Sequence, residues 1–287
     1  MIVTPRFHLF EIADQSWCPE WLREYSHLAR MQMWRTQAPG TKGSPATQVC
    51  DLLLENLPDA SSFTFIDSCA GGGGPTPIME ATLNQKLRSR GRGPVRFVLT
   101  DLWPSIQLWE AMTKRSENIS YISTPVDATK AMRLAEPGKK ECRIFNLCFH
   151  HFDDPEAATV LRSAVESADA FVIFEMTNRN LFAFLNTTFI VISPFLTTLL
   201  WFRHSLLHLI FTYLIPLVPL FFAFDGYVSC IRGRTSDELT DLLRNQPDLD
   251  LTQWQFKSGD TMVLPPFGVM YWYIGVKQKK SGEATRG

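Results

Sequence analysis

Several features that mark common protein classes are missing from this sequence. Its 287 residues carry 28 basic and 29 acidic side chains, and no long basic block is present to follow a phosphate backbone. Nucleic acid is therefore not an expected partner. The six cysteines include no CxxC pair, which argues against a zinc knuckle and against a disulfide framework. We expect no metal site, and reduced thiols in a protein that faces the cytosol.

The N-terminus lacks the continuous apolar segment of a secretory signal. It reads MIVTPRFHLFEIADQSW and is already charged at Arg6, so a cleaved leader is not expected. Elsewhere a long apolar stretch does occur. Residues 181–224 contain Arg203 as their only full charge, and this composition is typical of segments that contact a membrane.

Short apolar runs alternate with helical stretches along the rest of the chain. Five runs precede the apolar stretch and two follow it, at residues 63–67, 95–102, 120–128, 143–149, 170–176, 251–258 and 268–277. The intervening helices have start signals, including Ser44 before Pro45, an aspartate before Pro155, and Thr235 with Glu238. This alternation predicts an α/β fold with a doubly wound, mainly parallel sheet, in which ligands bind at the carboxyl ends of the strands.

A glycine-rich turn follows the first run in the segment FIDSCAGGGGPTP, residues 65–77. A strand, a glycine-rich turn and a helix together form a site where backbone amides face a phosphate or nucleotide. A triphosphate site needs a GK[ST] ending, which is absent here. A dinucleotide site needs G-x-G-x-x-G and an acid about 20 positions later, whereas here Asp67 ends the first run and the next candidate acid is Asp101.

These positions together resemble class I S-adenosylmethionine-dependent methyltransferases, over residues 45–178 and again from 225 to the C-terminus. The resemblance implies a seven-stranded Rossmann-like sheet and S-adenosyl-L-methionine as cofactor. Asp101 would hold the ribose hydroxyls and Asp127 would lie near the adenine; the alternatives are a helix cap and an ordinary turn aspartate. The implied cofactor-binding residues are Asp67, Ser68, Cys69, Gly71, Gly73, Asp101, Leu102, Asp127, Ala128 and Phe149.

In a site of this kind, the residues that face the acceptor of the methyl group would follow the fourth run. His150 and His151 follow it, and they are the predicted catalytic residues, because an imidazole can deprotonate or orient a hydroxyl near neutral pH. The alternative is a structural pair that caps the strand end. A carboxylate acceptor would need no base, and cations would matter more. The predicted substrate-binding residues are Arg6, His8, Trp17, Tyr25 and Arg232, although the two aromatic residues could instead dock the N-terminal segment on the sheet.

The apolar stretch is long enough for two membrane spans. A spanning hairpin would place Arg203 and His204 on the far side, against the positive-inside tendency, and Pro194 and Pro216 interrupt it. We therefore expect a hairpin that enters one leaflet, with Arg203 near the headgroups. The alternatives are a buried helix pair or a dimer interface. Apolar surface beside the site suggests a lipophilic acceptor.

The sequence thus predicts a methyltransferase that acts on oxygen of a lipophilic small molecule, a fatty or related carboxylic acid or a hydroxyl, at the cytosolic face of a membrane. A non-catalytic membrane-bound cofactor-binding or scaffold protein is the alternative, an NAD-dependent oxidoreductase is a third, and a homodimer is left open. The predicted parts are an N-terminal helical cover (1–45), a cofactor-binding core (46–180), a membrane-associating insertion (181–224), the C-terminal part of the core (225–280) and a tail (281–287).

Overall fold

The computed structural model describes residues 2–278, so the predicted tail at 281–287 lies outside the described residues. Its centre is a seven-stranded sheet in the order β3-β2-β1-β4-β5-β7-β6. Strands β1 to β5 are parallel, and β7 runs antiparallel between β5 and β6. The strands are β1 (Phe63–Ser68), β2 (Phe97–Thr100), β3 (Ile119–Tyr121), β4 (Lys140–Asn146), β5 (Ala170–Glu175), β6 (Trp254–Leu264) and β7 (Gly268–Lys277). The predicted doubly wound α/β fold with seven strands is confirmed.

The central strands are buried on both faces because helices cover both sides of the sheet. All six residues of β1 and all six of β5 are buried, without the alternation of a sheet that has one face in water. Side chains of β5 point alternately to two separate clusters, Val172 and Phe174 to one and Phe171 and Ile173 to the other. Two hydrophobic layers therefore hold the sheet between them.

Helices α2 (Pro45–Asn56), α3 (Thr76–Ser89) and α4 (Ile106–Thr113) cover the first face, and α5 (Asp154–Ser167) and α10 (Ser236–Arg244) cover the second. The predicted starts of α2, α5 and α10 are confirmed. The Ser44 hydroxyl accepts a hydrogen bond from the Thr47 amide, and reciprocal capping boxes begin α5 and α10. These caps satisfy backbone amides that would otherwise lack partners, so they fix where each helix begins.

The remaining α-helices pack against one another in a group that we call the helical cap. It consists of α1 (Glu20–Arg35), α6 (Leu181–Ile192), α7 (Pro194–Trp201), α8 (Leu206–Leu209), a π-helical turn (Ile210–Leu214) and α9 (Leu217–Arg232). The last helix continues past residue 224, the predicted end of the insertion. Leu22 and Tyr25 of α1 pack against Val218 and Phe221 of α9. The N-terminal segment and the apolar stretch thus share one small core.

The cap helices are bent where prolines interrupt them. The axes of α6 and α7 meet at 42° before Pro194, and the segments 206–214 and 217–232 meet at 72° near Pro216. Between residues 2 and 278, no single helix is long and apolar enough to span a bilayer; the two bent pairs reach that length only when counted across their breaks. Arg203 and His204 are exposed at the turn between α7 and α8.

Candidate functional site

The order in which the chain adds strands to the sheet reverses between β1 and β4. From β1 it continues to β2 and β3 on one side, and from β4 it continues to β5 on the other. This reversal opens a crevice at the carboxyl ends of the two strands. Asp67 lies at the end of β1 and Asn146 at the end of β4, and the Asn146 side-chain amide donates to Asp67 Oδ1 at 3.1 Å. The Thr76 hydroxyl, in the first turn of α3, donates to Asp67 Oδ2.

Asp67 is an unusual carboxyl because it is buried, with 1% of its surface exposed. Burial raises its pKa to about 7, and the negative charge of Asp101 acts in the same direction. The hydrogen bonds from Thr76 and Asn146 lower the pKa but do not offset the burial. A cationic group that entered the crevice would favour the ionised form of this carboxyl.

The glycine run is required by the backbone conformation of the turn after β1. Gly71, Gly73 and Gly74 have φ angles of +51°, +90° and +40°, which residues with a Cβ adopt at a cost. Cys69 also has a positive φ, +61°, although it is not glycine. A Cβ added to Gly71 would meet no atom within 4 Å, so the space beside this residue is open. The turn therefore presents bare backbone to the crevice.

Asp101 ties the end of β2 to this turn. Its carboxylate accepts hydrogen bonds from the amides of Gly71 and Trp103, each at 2.8 Å. The Trp109 indole donates to the Gly71 carbonyl at 2.9 Å, which fixes the turn from the other side. A carboxylate has about four acceptor positions, so Asp101 retains capacity for further donors. Leu102, which follows it, is exposed.

Asp127 lies beside the same edge. The Val126 amide donates to the Asp101 carbonyl at 2.9 Å, which brings residues 126–128 to the end of β2. The Asp127 carboxylate accepts from the amide and the hydroxyl of Thr129 at 2.9 and 2.6 Å, and the hydroxyl contact is the main reason why its pKa is lowered. The three predicted aspartates thus lie at the same edge of the sheet.

The other predicted cofactor-binding residues lie around these aspartates. Ser68 is the buried last residue of β1, next to Phe145 in the register of β4. Cys69 and Ala128 are partly buried and pack against the hydrophobic cluster that contains Cys148 and Phe149. This cluster forms an apolar wall next to the polar edge.

Asn146 is a residue that the sequence reasoning missed. Its side-chain oxygen Oδ1 is buried and has no hydrogen-bond partner among the described residues, while its amide group binds Asp67. A buried acceptor without a donor is costly, which indicates that a ligand supplies the donor. The available signal was its polar side chain within the apolar run 143–149.

His150 and His151 lie in a 3-10 turn (Phe149–His151) after β4. His150 is buried, and its Nδ1 lies 2.9 Å from Oε2 of Glu175, the last residue of β5. Its Nε2 lies 3.6 Å from Glu11 Oε1. Burial lowers the pKa of His150, but the charges of Glu175 and Glu11 outweigh this, so the pKa is raised overall. Glu11 and Glu175 were not predicted, because neither belongs to a local motif.

His151 contacts the N-terminal segment. Its Nδ1 lies 3.0 Å from Asp14 Oδ2. Burial tends to raise the pKa of Asp14, but the hydrogen bond and charge of His151 and the charge of Arg232 outweigh it and lower the pKa to about 2. The two adjacent histidines are therefore each held by a different carboxylate.

The five predicted substrate-binding residues do not lie together. Arg232 is buried and donates to the carbonyls of His150 and His151 at 3.1 and 2.9 Å. Arg6 donates to the Arg232 carbonyl at 3.0 Å and pairs with Asp154 at 2.7 Å. Both guanidinium groups thus hold backbone and carboxylates of the protein.

The other three residues differ in their surroundings. Tyr25 is buried in the helical cap, where its hydroxyl lies 2.7 Å from Thr197 Oγ1 and 3.0 Å from Thr198 Oγ1. Trp17 has 63% of its surface exposed, and His8 is exposed as well. Tyr25 therefore joins the N-terminal helix to the apolar stretch.

No family model matches the chain, and no curated protein matches its sequence. Solved structures do match its fold. The citrinin polyketide synthase CMeT domain superposes with a TM-score of 0.51 at 14% identity, over 94% of this chain and 60% of that one. An O-methyltransferase family protein from Burkholderia thailandensis gives 0.47 at 14% identity, over 94% and 62%. Magnesium protoporphyrin IX methyltransferase from Synechocystis PCC 6803 gives 0.45 at 10% identity, over 93% and 88%.

The chain spans about three fifths of the length of the first two of these structures. At this level of identity the likeness concerns the fold, and it extends over nearly the whole chain. The seven-stranded sheet and the glycine turn at the strand reversal agree with the fold expected from the sequence. The chain has the seven-stranded Rossmann-like fold of class I methyltransferases.

Proposed function

We propose that the protein is an S-adenosylmethionine-dependent methyltransferase that methylates oxygen of a lipophilic small molecule at a membrane surface. The observation that carries the proposal is the partnerless Oδ1 of Asn146, buried next to Asp67 at the strand reversal. The amino group of the cofactor's methionine part is a cationic donor of the kind that this oxygen lacks and that an ionised Asp67 favours.

The residues of the crevice fit the cofactor in their chemistry. Asn146 and Asp67 would hold its amino group, and the open backbone at Gly71 would lie against its methionine part. Asp101 has acceptor capacity left for ribose hydroxyls, and Ala128 and Cys69 offer apolar surface beside it. When bound, S-adenosylmethionine supplies a methyl group activated by a positively charged sulfur.

The acceptor would enter from the side of His150 and His151. In-line methyl transfer depends mainly on alignment and on the exclusion of water. Glu175 contacts Nδ1 of the buried His150 ring, which leaves Nε2 on the side of Glu11. A hydroxyl acceptor needs a group that takes or displaces its proton, whereas a carboxylate acceptor arrives ionised. Both classes of acceptor are compatible with this arrangement.

The lipophilic acceptor and the membrane surface are inferred from the outside of the helical cap. Of 29 exposed large apolar side chains in residues 2–278, eighteen lie in 181–224. Leu196, Leu200, Leu206 and Leu214 each expose between 69% and 77% of their surface. Monomers seldom expose so extended an apolar surface to water, and one charged residue in 44 favours a lipid leaflet as the partner.

Calorimetry with S-adenosylhomocysteine tests the cofactor. We expect binding by the wild type and a loss of at least tenfold in affinity for Asn146→Leu, which removes both the orphaned oxygen and the amide. Asn245 lies at the C-terminal end of α10. The variant Asn245→Leu is the control and should bind like the wild type. Absence of binding by the wild type, or NAD binding in its place, would refute the proposal.

Sedimentation with phosphatidylcholine vesicles tests the membrane surface, and transfer of label from S-adenosylmethionine to a lipid extract tests the acceptor class. The triple variant Leu196→Glu, Leu200→Glu and Leu206→Glu should remain in solution while the wild type sediments with vesicles. Met132→Glu changes an equally exposed apolar residue outside the cap and serves as the control. Equal sedimentation of the triple variant and the control would show that the cap is not the membrane surface.

A further inference from the structure

Two histidines and a glutamate lie together where the N-terminal segment meets the ends of β4 and β5. Glu11, His150 and His151 each place a possible ligand atom within 4.8 Å of the others. His150 Nε2 and Glu11 Oε1 are 3.6 Å apart, and the two imidazole centroids are 4.3 Å apart. Two ligand atoms about 2.1 Å from a tetrahedral metal ion are themselves about 3.4 Å apart. The first pair is therefore at the spacing of ligands that share an ion.

The outer side of each histidine is already held by a carboxylate. Glu175 Oε2 lies 2.9 Å from Nδ1 of His150, and Asp14 Oδ2 lies 3.0 Å from Nδ1 of His151. Each contact leaves Nε2 as the nitrogen available to a ligand. Histidines that bind metals usually have such a carboxylate behind them, because it fixes the tautomer and the ring orientation.

Among residues 2–278, the charged side chains that contact the cluster do not balance when both imidazoles are neutral. Glu11, Asp14 and Glu175 bring three negative charges, and Arg232 brings one positive charge, 3.2 Å from Glu11 and 3.4 Å from Asp14. Arg30 and Asp225, which act on the same groups, add one charge of each sign. Two negative charges are thus in excess at a largely buried site, where unpaired charge is costly. One divalent cation, or two protons on the histidines, would cancel them.

We propose that Glu11, His150 and His151 bind a divalent transition-metal ion through the carboxylate of Glu11 and the two Nε2 atoms. Two histidines and a glutamate are a ligand set of catalytic zinc sites, which keep one position open. Nitrogen ligands favour such an ion over magnesium or calcium. This proposal replaces the expectation from the sequence that there is no metal site.

The location gives the ion two consequences. Because Glu11 belongs to the N-terminal segment and the histidines follow β4, the ion joins that segment to the edge of the crevice. The second consequence rests on the proposed function. An ion at this place lies on the acceptor side of the crevice, where it can hold the acceptor oxygen as an anion. His151 and Asp14 have 34% and 41% of their side-chain surface exposed, so the ion can enter from solvent.

Metal titration of the full-length protein tests this site. The protein is treated with a chelator, desalted and titrated with Zn²⁺ and with Co²⁺ at neutral pH, by calorimetry and by the visible absorption of bound Co²⁺. We expect one ion per chain with micromolar or tighter affinity. His151→Gln removes a partly exposed ligand, so folding should tolerate it, and it should weaken binding at least 100-fold. Asp14→Asn leaves the ligands in place and should weaken binding between about 10- and 100-fold.

His204→Gln is the matched control, since His204 is exposed at the turn of the helical cap, and it should bind like the wild type. A wild type that takes up neither ion at millimolar concentration would show that protons balance the cluster, and the proposal would be wrong. Equal binding by His151→Gln and His204→Gln would also refute it. S-adenosylhomocysteine calorimetry on the same samples separates the two proposals, because it reports on the Asp67 crevice and does not depend on the metal.

Discussion

The substitution Asp67→Asn should make the protein more stable at alkaline pH, which is an uncommon result for a residue at a binding site. Asp67 is fully buried and its folded-state pKa is about 7, against 3.8 for the unconstrained side chain. Because the folded-state pKa is the higher one, the folded protein loses stability as pH rises from about 4 through about 7. A difference of about three pKa units corresponds to about 4 kcal/mol, and asparagine keeps the shape without the charge.

Urea denaturation of the wild type and Asp67→Asn at several pH values between 5 and 8 measures this effect. The free energy of unfolding of the variant relative to the wild type should rise by about 3 kcal/mol across that range, since about a third of the loss in the wild type occurs below pH 5. Asp127→Asn is the control, because the pKa of Asp127 is lowered and its carboxyl is ionised throughout. A constant difference between wild type and Asp67→Asn from pH 5 to 8 would refute the argument that burial holds Asp67 protonated.

Three further predictions follow from the same crevice. S-adenosylhomocysteine should bind more tightly as pH rises from 6 to 8, because its amino group favours ionised Asp67; calorimetric affinities that do not change with pH would contradict the pairing. Asp101→Ala should weaken this binding by about 1–3 kcal/mol, and an unchanged dissociation constant would remove Asp101 from the ribose role. Gly73→Ala should destabilise the fold by about 1–2 kcal/mol, because φ is +90° and the added Cβ meets Met112, whereas Gly72→Ala should cost less in thermal unfolding.

Local signals in the sequence were sufficient for the starts of α2, α5 and α10 and for the number of strands and their places along the chain. The capping boxes at Asp153 and Thr235 use contacts between residues three positions apart, so they can be read directly from the chain. The strand lengths were less accurate. The run 120–128 yields only Ile119–Tyr121 as strand, because a strand ends where its sheet partner ends, and β2 stops at Thr100.

The residues of the candidate site also fall into two groups, those that the sequence predicted and those that it did not. Asp67, Asp101 and Asp127 were predictable because parallel strands deliver their carboxyl ends to one edge, whatever the details of packing. Glu175 could not be predicted as the partner of His150, since they are 25 positions apart and meet only because β4 and β5 are neighbours. Glu11 and Asp14 come from the opposite end of the chain and reach the histidines only through the folded N-terminal segment.

The sequence by itself therefore determined the α/β sheet, the glycine turn and the row of aspartates, because periodicity and backbone conformational preference act over a few residues. Only the tertiary structure decided that Asn146 has an acceptor without a donor, that Tyr25 joins the N-terminal helix to the apolar stretch, and that three carboxylates from two distant segments surround two adjacent histidines. Burial and charge balance are properties of neighbours in space. They depend on which strands and helices lie side by side, and no local pattern of residues specifies that.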